Sequence, residues 1–283
     1  MMDSHYLTVD GYRLHWLELG RGPAVLMIHG FARSAEDWRT TGSALASMGY
    51  RVLAVDALGF GRSDKPDKIR YSLALMAKLF AGLLDGLGLE RAFFVGHSMG
   101  GKYALGTAVL QPDRVAGLGL VGSDGFVRSP VLTQTGGWPV VGHMLLWLSS
   151  RPFVVRAMYE ASFANPKPIV TEDFLAIGRA AMLGPENSRA LMSLSRCYAT
   201  IDVNRTGIRK RFSQIKVPTL LIWGDQDRVF PVERTGRIAA ASIPGAHLAV
   251  IPNCGHFPHL ETPRALAGLL GGFLAHTSQV APW

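Results

Sequence analysis

The sequence predicts an α/β fold in which helices cover both faces of a mostly parallel, eight-stranded sheet. Three observations support this prediction. Short apolar runs alternate with segments of helical spacing, these runs are apolar at nearly every position, and one block of helix-like pieces interrupts the alternation. Uninterrupted apolar runs are typical of parallel strands buried on both faces. Their alternation with helices indicates βαβ units with right-handed crossovers.

The elements follow one another in a regular order after an opening hairpin. The segments YLTVDG and YRLHWLEL meet at Asp10 and Gly11, and Asp-Gly favours a tight hairpin turn. Six further strands are predicted by the runs AVLMIHG, RVLAVDALG, AFFVGHS, GLGLVGSDG, PTLLIWGDQD and HLAVIPNCG. Helix-compatible segments lie among them at residues 35–48, 72–87, 99–110, 232–243 and 263–275.

One long insertion separates two strands of the predicted sheet. From residue 127 to 212 the sequence contains only helix-like pieces, which are broken by several prolines. We expect these residues to form a helical cap, with residues 1–126 and 213–283 forming the core. Such a cap would lie over the carboxyl edge of the sheet, where ligands bind in open α/β folds.

Composition and charge argue against several classes of protein. Hydrophobic residues make up 48% of the 283 residues, which is enough for a large core. The net charge of +8 is dispersed, apart from the cluster RTGIRKRF at 205–212, so we expect no nucleic-acid partner. The N-terminus lacks an apolar run after a basic start, and WPVVGHMLLWLSS is shorter than a bilayer span. A cytoplasmic protein without stable membrane insertion is expected.

Neither a metal nor a cofactor is predicted. Cys197 and Cys254 form no zinc or disulfide pattern, and they are interpreted as reduced, packed thiols. The nine histidines include no HExxH spacing. The partner expected is a small molecule, bound by a monomer or a homodimer.

Ser98 is the predicted nucleophile. It lies in GHSMG, between the strand AFFVG and the helix that begins near Met99. In the pattern G-x-S-x-G, a sharp strand-to-helix turn raises the serine hydroxyl above the sheet. The helix N-terminus supplies backbone N–H groups and a positive dipole end, which suit a developing oxyanion.

A serine nucleophile needs a histidine base that is oriented by a carboxylate. The segment CGHFPHLETP supplies His256, and the loop WGDQDRVFP supplies Asp227; the order Ser, Asp, His is the one expected for this elbow. Asp225 is interpreted as a cap of the same turn. Asp124 is the reserve acid, with an Asx turn as its other role. His259 competes with His256 and is interpreted as structural or as lining a pocket.

Two backbone N–H groups are predicted to bind the oxyanion. Met99 follows the nucleophile, and Phe31 follows His29 and Gly30 in the loop after the third strand. His29 and His97 adjoin these turns, and hydrogen-bonded structural roles are expected for both.

With these parts in place, the sequence resembles the α/β-hydrolase superfamily over essentially its full length. The segments that carry the resemblance are HGF, DALGFGRSDKP, GHSMGG, WGDQDRVFP and CGHFPHLETP, in the family's order. The resemblance implies an α/β-hydrolase fold and acyl transfer at Ser98. The glycine-rich loop at 56–66 is interpreted as structural, with Asp64 and Lys65 holding it.

Within the family, an ester hydrolase is the favoured interpretation. The alternative is a C–C bond hydrolase of the meta-cleavage type, which needs a cationic cap residue for its acidic dienone. Arg196 could serve, although pairing at the surface is the more expected role for a cap arginine. The elbow has a histidine before the serine instead of the asparagine of those enzymes, which favours an esterase. A slow-turnover receptor on the same fold is a second alternative.

The cap is expected to determine the substrate. It carries a large set of apolar side chains, most of which should pack against the core while a minority line an acyl pocket. The set comprises Phe126, Trp138, Met144, Leu145, Trp147, Phe153, Met158, Tyr159, Phe163 and Met182. Trp138, Trp147, Arg196 and Phe257 are the predicted substrate-binding residues.

Overall fold

A computed structural model of the chain describes residues 1–127, 144 and 147–280, with the side chains of 278–280 excepted. It contains an eight-stranded sheet with the strand order β1-β2-β4-β3-β5-β6-β7-β8. The strands are β1 Asp3–Val9, β2 Tyr12–Leu19, β3 Ala24–Ile28, β4 Arg51–Val55, β5 Ala92–His97, β6 Val115–Val121, β7 Thr219–Gly224 and β8 His247–Ile251. The predicted fold class is confirmed.

Among the strands that the structure describes, β1 and β2 alone depart from the parallel arrangement. β1 and β2 form an antiparallel hairpin, and β2 joins the sheet by antiparallel pairing with β4. The other pairs are parallel, for example Leu26 with Phe94 and Phe94 with Leu118. Asp10 and Gly11 have φ values of 52° and 80°, which fits the predicted two-residue turn.

Ten α-helices are assigned in the part of the chain that the structure describes. They are α1 Arg39–Ser47, α2 Leu73–Gly86, α3 Met99–Leu110, α4 Pro152–Ser162, α5 Glu172–Leu183, α6 Pro185–Arg196, α7 Tyr198–Ile201, α8 Arg237–Ser242, α9 Pro258–Glu261 and α10 Pro263–Val280. Short 3₁₀ turns precede α1 and β7, at Ala35–Trp38 and Ile208–Gln214.

The helices bury the two faces of the sheet in separate apolar clusters. Along β3, Leu26 and Ile28 contribute to the cluster beneath α2 and α3, whereas Val25 and Met27 contribute to the cluster beneath α1 and α10. Successive strand side chains point to opposite faces, so a strand buried on both faces must be apolar throughout. Burial of each such apolar side chain contributes about 1.5–3 kcal/mol to the free energy of unfolding.

Helices α4 to α7 lie in the insertion between β6 and β7. The insertion contacts the loops at the carboxyl edge of the sheet. The Ala164 N–H donates to Glu261 Oε2 over 2.8 Å, and the His256 N–H donates to the Ser162 carbonyl over 2.7 Å. We propose that residues 127–212 form the cap domain, with residues 1–126 and 213–283 as the core.

Candidate active site

Three parallel strands bring the predicted site residues to one edge of the sheet. Ser98 follows β5, Asp227 lies in the loop after β7, and His256 lies in the loop after β8. Because parallel strands end at the same edge, residues distant in sequence meet there. Ser98 and His256 line the same cavity.

The backbone at Ser98 is held in a rarely occupied conformation. Its φ and ψ angles are 51° and −117°, and it lies between β5 and the first residue of α3. A Cβ at Gly96 would lie 2.4 Å from the Gly100 carbonyl oxygen, and a Cβ at Gly100 would lie 2.3 Å from the Ile28 carbonyl oxygen. The two glycines therefore allow the close backbone contacts of a sharp turn.

His256 and Asp227 form a buried, hydrogen-bonded pair. His256 Nδ1 lies 2.9 Å from Asp227 Oδ2, and the two residues are 4% and 3% exposed. The Asp227 carboxylate also accepts hydrogen bonds from the N–H groups of Val229 and Phe230 at its other oxygen. An ionised carboxylate only accepts hydrogen bonds, so Nδ1 carries the proton and Nε2 has a free lone pair. This arrangement suits His256 to act as a base.

The other two acidic candidates have different partners. Asp225 accepts a hydrogen bond from the Cys254 N–H over 3.1 Å and so joins the two loops. Asp124 forms an ion pair of 2.6 Å with Lys102, and its other oxygen accepts from the Gly125 N–H. The structure therefore brings Asp227 to His256, and it places Asp225 and Asp124 in contacts that hold turns.

His97 and His29 are both buried and hydrogen-bonded, as the sequence predicted. His97 Nε2 donates to the His256 carbonyl over 2.8 Å, and His29 Nδ1 donates to the Gly30 carbonyl over 2.7 Å. Burial is the main cause that lowers the pKa of each imidazole, and for His97 the neighbouring His259 and His256 lower the pKa further. Both rings therefore stay neutral at physiological pH, and His97 holds the loop that carries His256.

His259 packs beside this group and away from the described lining of the cavity. Its ring lies 4.7 Å from Trp38 and 4.4 Å from His97, centroid to centroid, and its Nε2 lies 3.8 Å from Asp37 Oδ2. Burial lowers the pKa of His259 despite this carboxylate. A structural role fits these contacts.

The two predicted oxyanion donors belong to segments next to Ser98, since a Cβ at Gly30 would lie 3.5 Å from Ser98 Cβ. Met99 is the first residue of α3, and Phe31 lies beside Gly30 in the loop after β3. Gly30, Phe31 and Ser98 all line the cavity. The next residue, Ala32, has a φ of 54°, a strained conformation for a residue other than glycine. We propose that the N–H groups of Phe31 and Met99 bind the oxyanion.

The cavity at Ser98 has a volume of about 180 Å³ and a mostly apolar lining. It lies between the sheet edge and helix α4. The described residues that line it are Gly30, Phe31, Ala32, His97, Ser98, Val155, Met158, Tyr159, Ser162, Met182, Val229, His256 and Phe257. Among these described residues there is no lysine or arginine.

The predicted substrate-binding residues lie in different parts of the molecule. Phe257 lines the cavity, whereas Trp147 is 56% exposed and is not among the described lining residues. Trp138 lies outside the described residues. Arg196 is not among the described lining residues. It lies at the surface, the role that was more expected for it, where Nη2 donates to the Asp67 carbonyl over 3.2 Å. Arg196 is the last residue of α6, and it contacts the backbone just after the 56–66 loop.

Most of the apolar residues named for the cap were expected to pack against the core, but four of the eight that the structure describes, Met158 among them, are more than half exposed. Met158, Tyr159 and Met182 line the cavity, while Phe126 and Phe163 are buried. Met144, Trp147 and Phe153 are more than half exposed. Leu145 lies outside the described residues.

Four lining residues were missed by the sequence analysis. They are Ala32, Val155, Ser162 and Val229. Val155 and Ser162 lie on α4 with Met158 and Tyr159, and these four positions have the i, i+3, i+4, i+7 spacing of one helical face. That spacing is the signal that could have identified them.

A buried ion pair beside the cavity was also missed. Arg33 Nε donates to Asp37 Oδ2 over 2.7 Å, its guanidinium contacts both carboxylate oxygens, and Nη1 donates to the Tyr159 hydroxyl over 3.3 Å. Burial alone would raise the pKa of Asp37, but Arg33 and His259 outweigh it and hold this pKa below its usual range. The pair joins the loop after β3 to the inserted helix α4.

The described residues offer neither a metal-binding cluster nor a membrane-spanning helix. No group of three histidine, cysteine, aspartate or glutamate side chains in these ranges could hold a metal ion. No helix assigned there has both the length and the apolar character needed to span a bilayer.

Comparison with known proteins identifies the family. A family model described as "Alpha/beta hydrolase family" matches residues 25–269. The chain belongs to this family. The match spans every strand from β4 to β8 and the three loops that carry Ser98, Asp227 and His256.

Several characterised relatives are similar over almost the whole chain. A 2-hydroxymuconate semialdehyde hydrolase of Pseudomonas putida is 33% identical over 95% of this chain and 93% of its own length. A 2-hydroxy-6-oxo-6-phenylhexa-2,4-dienoate hydrolase of Burkholderia cepacia is 31% identical, over 96% of both chains. The solved structure of Est816, described as an N-acyl homoserine lactone degrading enzyme, has a TM-score of 0.77. It is 27% identical, over 95% of this chain and all of that one.

Proposed function

We propose that this member of the alpha/beta hydrolase family is a serine hydrolase that cleaves a carbon–carbon bond next to a ketone in an acidic dienoate. The observation that carries the proposal is its full-length similarity to dienoate and semialdehyde hydrolases, together with the buried His256–Asp227 pair beside Ser98. The sequence analysis preferred an ester substrate; these relatives favour the alternative that it kept open.

The first chemical step is attack on the ketone. Ser98 Oγ forms a bond to the carbonyl carbon as its proton passes to His256 Nε2, and the carbonyl π electrons move to oxygen. The negative charge develops in an apolar cavity, where the backbone N–H groups of Phe31 and Met99 would stabilise it. Asp227 stabilises the imidazolium that forms.

The second step breaks the carbon–carbon bond. This step requires the keto form of a 2-hydroxy-6-oxo-dienoate, in which the proton of the C2 hydroxyl has moved to C5, C2 is a carbonyl and the double bond lies between C3 and C4. Collapse of the tetrahedral intermediate then breaks the C5–C6 bond, and its electron pair is delocalised through C4 and C3 onto the C2 carbonyl. The leaving dienolate takes a proton, which His256 can return, and an acyl group remains on Ser98. Water, activated by His256, releases this group as a carboxylic acid.

The described lining of the cavity offers both apolar and polar groups to a substrate. Val155, Met158, Met182 and Phe257 offer an apolar surface that suits an acyl group such as benzoyl. The described lining offers hydroxyls at Tyr159 and Ser162 to the polar part. This distribution supports a substrate whose acyl group, the part that remains on Ser98, is apolar.

Ester hydrolysis is the second candidate, because two observations favour it. No cationic side chain occurs among the described lining residues, although an acidic dienoate carries a carboxylate. His97 also replaces the asparagine that the resemblance implies for meta-cleavage enzymes. Both reactions use the same serine, histidine and aspartate, and they differ only in the group that leaves.

A paired assay distinguishes the two reactions. The specificity constant is measured with 2-hydroxy-6-oxo-6-phenylhexa-2,4-dienoate, by loss of its absorbance, and with p-nitrophenyl esters of graded chain length, using Ser98→Ala as the blank. We expect the dienoate to have the higher specificity constant. Turnover of the esters with no dienoate loss above the blank would overturn the C–C assignment and leave the ester reaction.

A further inference from the structure

A second serine, histidine and aspartate meet on the first hairpin, outside the cavity. Ser4 lies on β1, His15 lies on β2, and Asp56 follows β4. In the hairpin register Ser4 pairs with Leu17 and Tyr6 pairs with His15, so Ser4 and His15 are diagonal neighbours. Because side chains alternate along a strand, these two point to the same face of the hairpin.

The three side chains form a continuous relay of hydrogen bonds. His15 Nδ1 lies 2.7 Å from Asp56 Oδ2, and His15 Nε2 lies 2.8 Å from Ser4 Oγ. The Asp56 carboxylate also accepts hydrogen bonds from the N–H groups of Ala35 and Arg62. A carboxylate can only accept, so Nδ1 donates to it, and in the neutral imidazole Nε2 then carries the lone pair. The Ser4 hydroxyl therefore donates its proton to a base.

The relay leads from the protein interior to its surface. His15 and Asp56 are each 1% exposed, whereas Ser4 is exposed on the edge strand. The buried histidine is fixed by its aspartate, whereas Ser4 itself is an exposed residue. Arg62 Nη1 lies 3.5 Å from Ser4 Oγ, so a positive charge lies beside the atom where a reaction would occur.

We propose that Ser4 is a second acyl-accepting nucleophile, which takes acyl groups from small activated esters in solution. Ser4 Oγ forms the bond to the acyl carbon, its proton passes to His15 Nε2, and the bond from the acyl carbon to the leaving oxygen breaks. The leaving alkoxide or phenolate takes the proton from His15. This inference does not depend on the substrate of the cavity.

The Ser4 site is suited to accept an acyl group but poorly suited to release it again by hydrolysis. Its serine lies on a regular strand, at Asp3–Val9, and not at a helix N-terminus. The acyl group therefore stays on Ser4 after the leaving group has departed, in an amount of one group per chain. Small donors are expected to react, since Ser4 is not among the described lining residues of the apolar cavity that would hold a larger acyl group.

The test measures acetylation residue by residue in the full chain. Ser98→Ala is incubated with p-nitrophenyl acetate, samples are quenched over time, and tandem mass spectrometry locates acetyl groups. Ser47 is the matched internal control, because it is also exposed but its hydroxyl donates to the Ala44 carbonyl, which cannot take a proton. General base assistance of this kind typically increases a rate by about 10²-fold or more, so Ser4 should react at least about a hundredfold faster than Ser47.

Two further variants test whether Ser4 is activated by its neighbours or is merely exposed. Arg62→Gln keeps the backbone N–H that holds Asp56 and removes the charge beside Ser4, so a severalfold lower rate is expected. His15→Gln should bring the rate at Ser4 to within a few-fold of that at Ser47, with thermal unfolding used to check that the variant is folded. Equal rates at Ser4 and Ser47 in Ser98→Ala would overturn the proposal. An undiminished rate at Ser4 in folded His15→Gln would overturn it as well.

Discussion

Ser98 and Ser4 have similar partners but very different surroundings. In each case an aspartate that accepts backbone hydrogen bonds also contacts the Nδ1 atom of a buried histidine, at 2.9 Å for Asp227 and 2.7 Å for Asp56. Ser98 lies in a strained turn at the start of a helix and lines an apolar cavity, whereas Ser4 lies on an exposed edge strand. The comparison separates two requirements of a serine hydrolase: proton removal, and a shielded place for the oxyanion and the acyl group.

The largest effect is expected from removal of the serine in the cavity. Ser98→Ala should reduce kcat by at least about 10⁴-fold, because the proposed acyl group forms on Ser98 Oγ. Ser47→Ala, which removes an exposed hydroxyl, should leave kcat unchanged. Steady-state kinetics with the preferred substrate give both values. If Ser98→Ala retained more than a tenth of the activity, the comparison would lose its basis.

Exchange of the carboxylate should be the next largest effect. Asp227→Asn keeps the shape of the side chain but no longer stabilises the Nδ1–H form and the imidazolium of His256, so kcat should fall about 10³–10⁴-fold. Asp225→Asn is the matched control, since the amide oxygen can still accept from the Cys254 N–H. Its kcat should change by less than about threefold. Equal losses in the two variants would contradict the choice of Asp227.

These first two effects concern residues that the sequence identifies by short motifs. Ser98, Asp227 and His256 each follow an apolar strand, and parallel strands end at one edge, so local patterns suffice to bring them together. Arg196 shows the limit of this reasoning. Its direction depends on how α6 is rotated against the 56–66 loop, and no short motif records that rotation.

The hydrogen bonds that join Ser4, His15 and Asp56 are harder to predict from the sequence. His15 is 11 residues from Ser4 and 41 residues from Asp56, and the contact depends on the register of the hairpin and on β2 pairing with β4. The glycine-rich loop was interpreted as structural, and its Asp64 does accept from the Arg13 N–H. The contact of Asp56 with His15 depends on strand pairing, which no short sequence motif records.

The loop that holds Asp56 gives a stability test of the hairpin region. Gly61 has a φ of 53°, and a Cβ there would lie 2.1 Å from Asp56 Cγ. Gly61→Ala should therefore lower the free energy of unfolding by about 3 kcal/mol. Gly268→Ala in α10, where a Cβ meets nothing within 4 Å, should raise it by about 0.5–1 kcal/mol. Urea denaturation measures both changes, and a neutral Gly61→Ala would show that Asp56 is not tightly enclosed.

The smallest expected effect is on the pH dependence of stability, through the buried His97 beside the cavity. Burial keeps the pKa of His97 well below that of an unfolded histidine, which is about 6.5. Below pH 6.5 the unfolded chain binds a proton that the folded chain does not, so stability is full above this pH and falls as the pH is lowered. One such group contributes about 1.4 kcal/mol per pH unit.

His97→Asn provides the measurement of this contribution. The slope of unfolding free energy against pH between 6 and 5 should be smaller in the variant than in the parent chain, whatever the stability of each at pH 7. His259, whose pKa is also lowered by burial, should keep part of the slope. An unchanged slope would show that His97 is protonated in the folded chain.

The most direct test of the account is a comparison of labelling rates at the two serines in one sample. The chain is treated with a small fluorophosphonate, and tandem mass spectrometry follows the modification of Ser98 and Ser4 over time. The account predicts that Ser98 reacts at least about a hundredfold faster than Ser4, because its oxyanion donors add to proton removal. It also predicts that His256→Gln removes this advantage. Equal rates at the two serines, or an unchanged Ser98 rate in folded His256→Gln, would contradict the claim that His256 activates Ser98 in a prepared cavity.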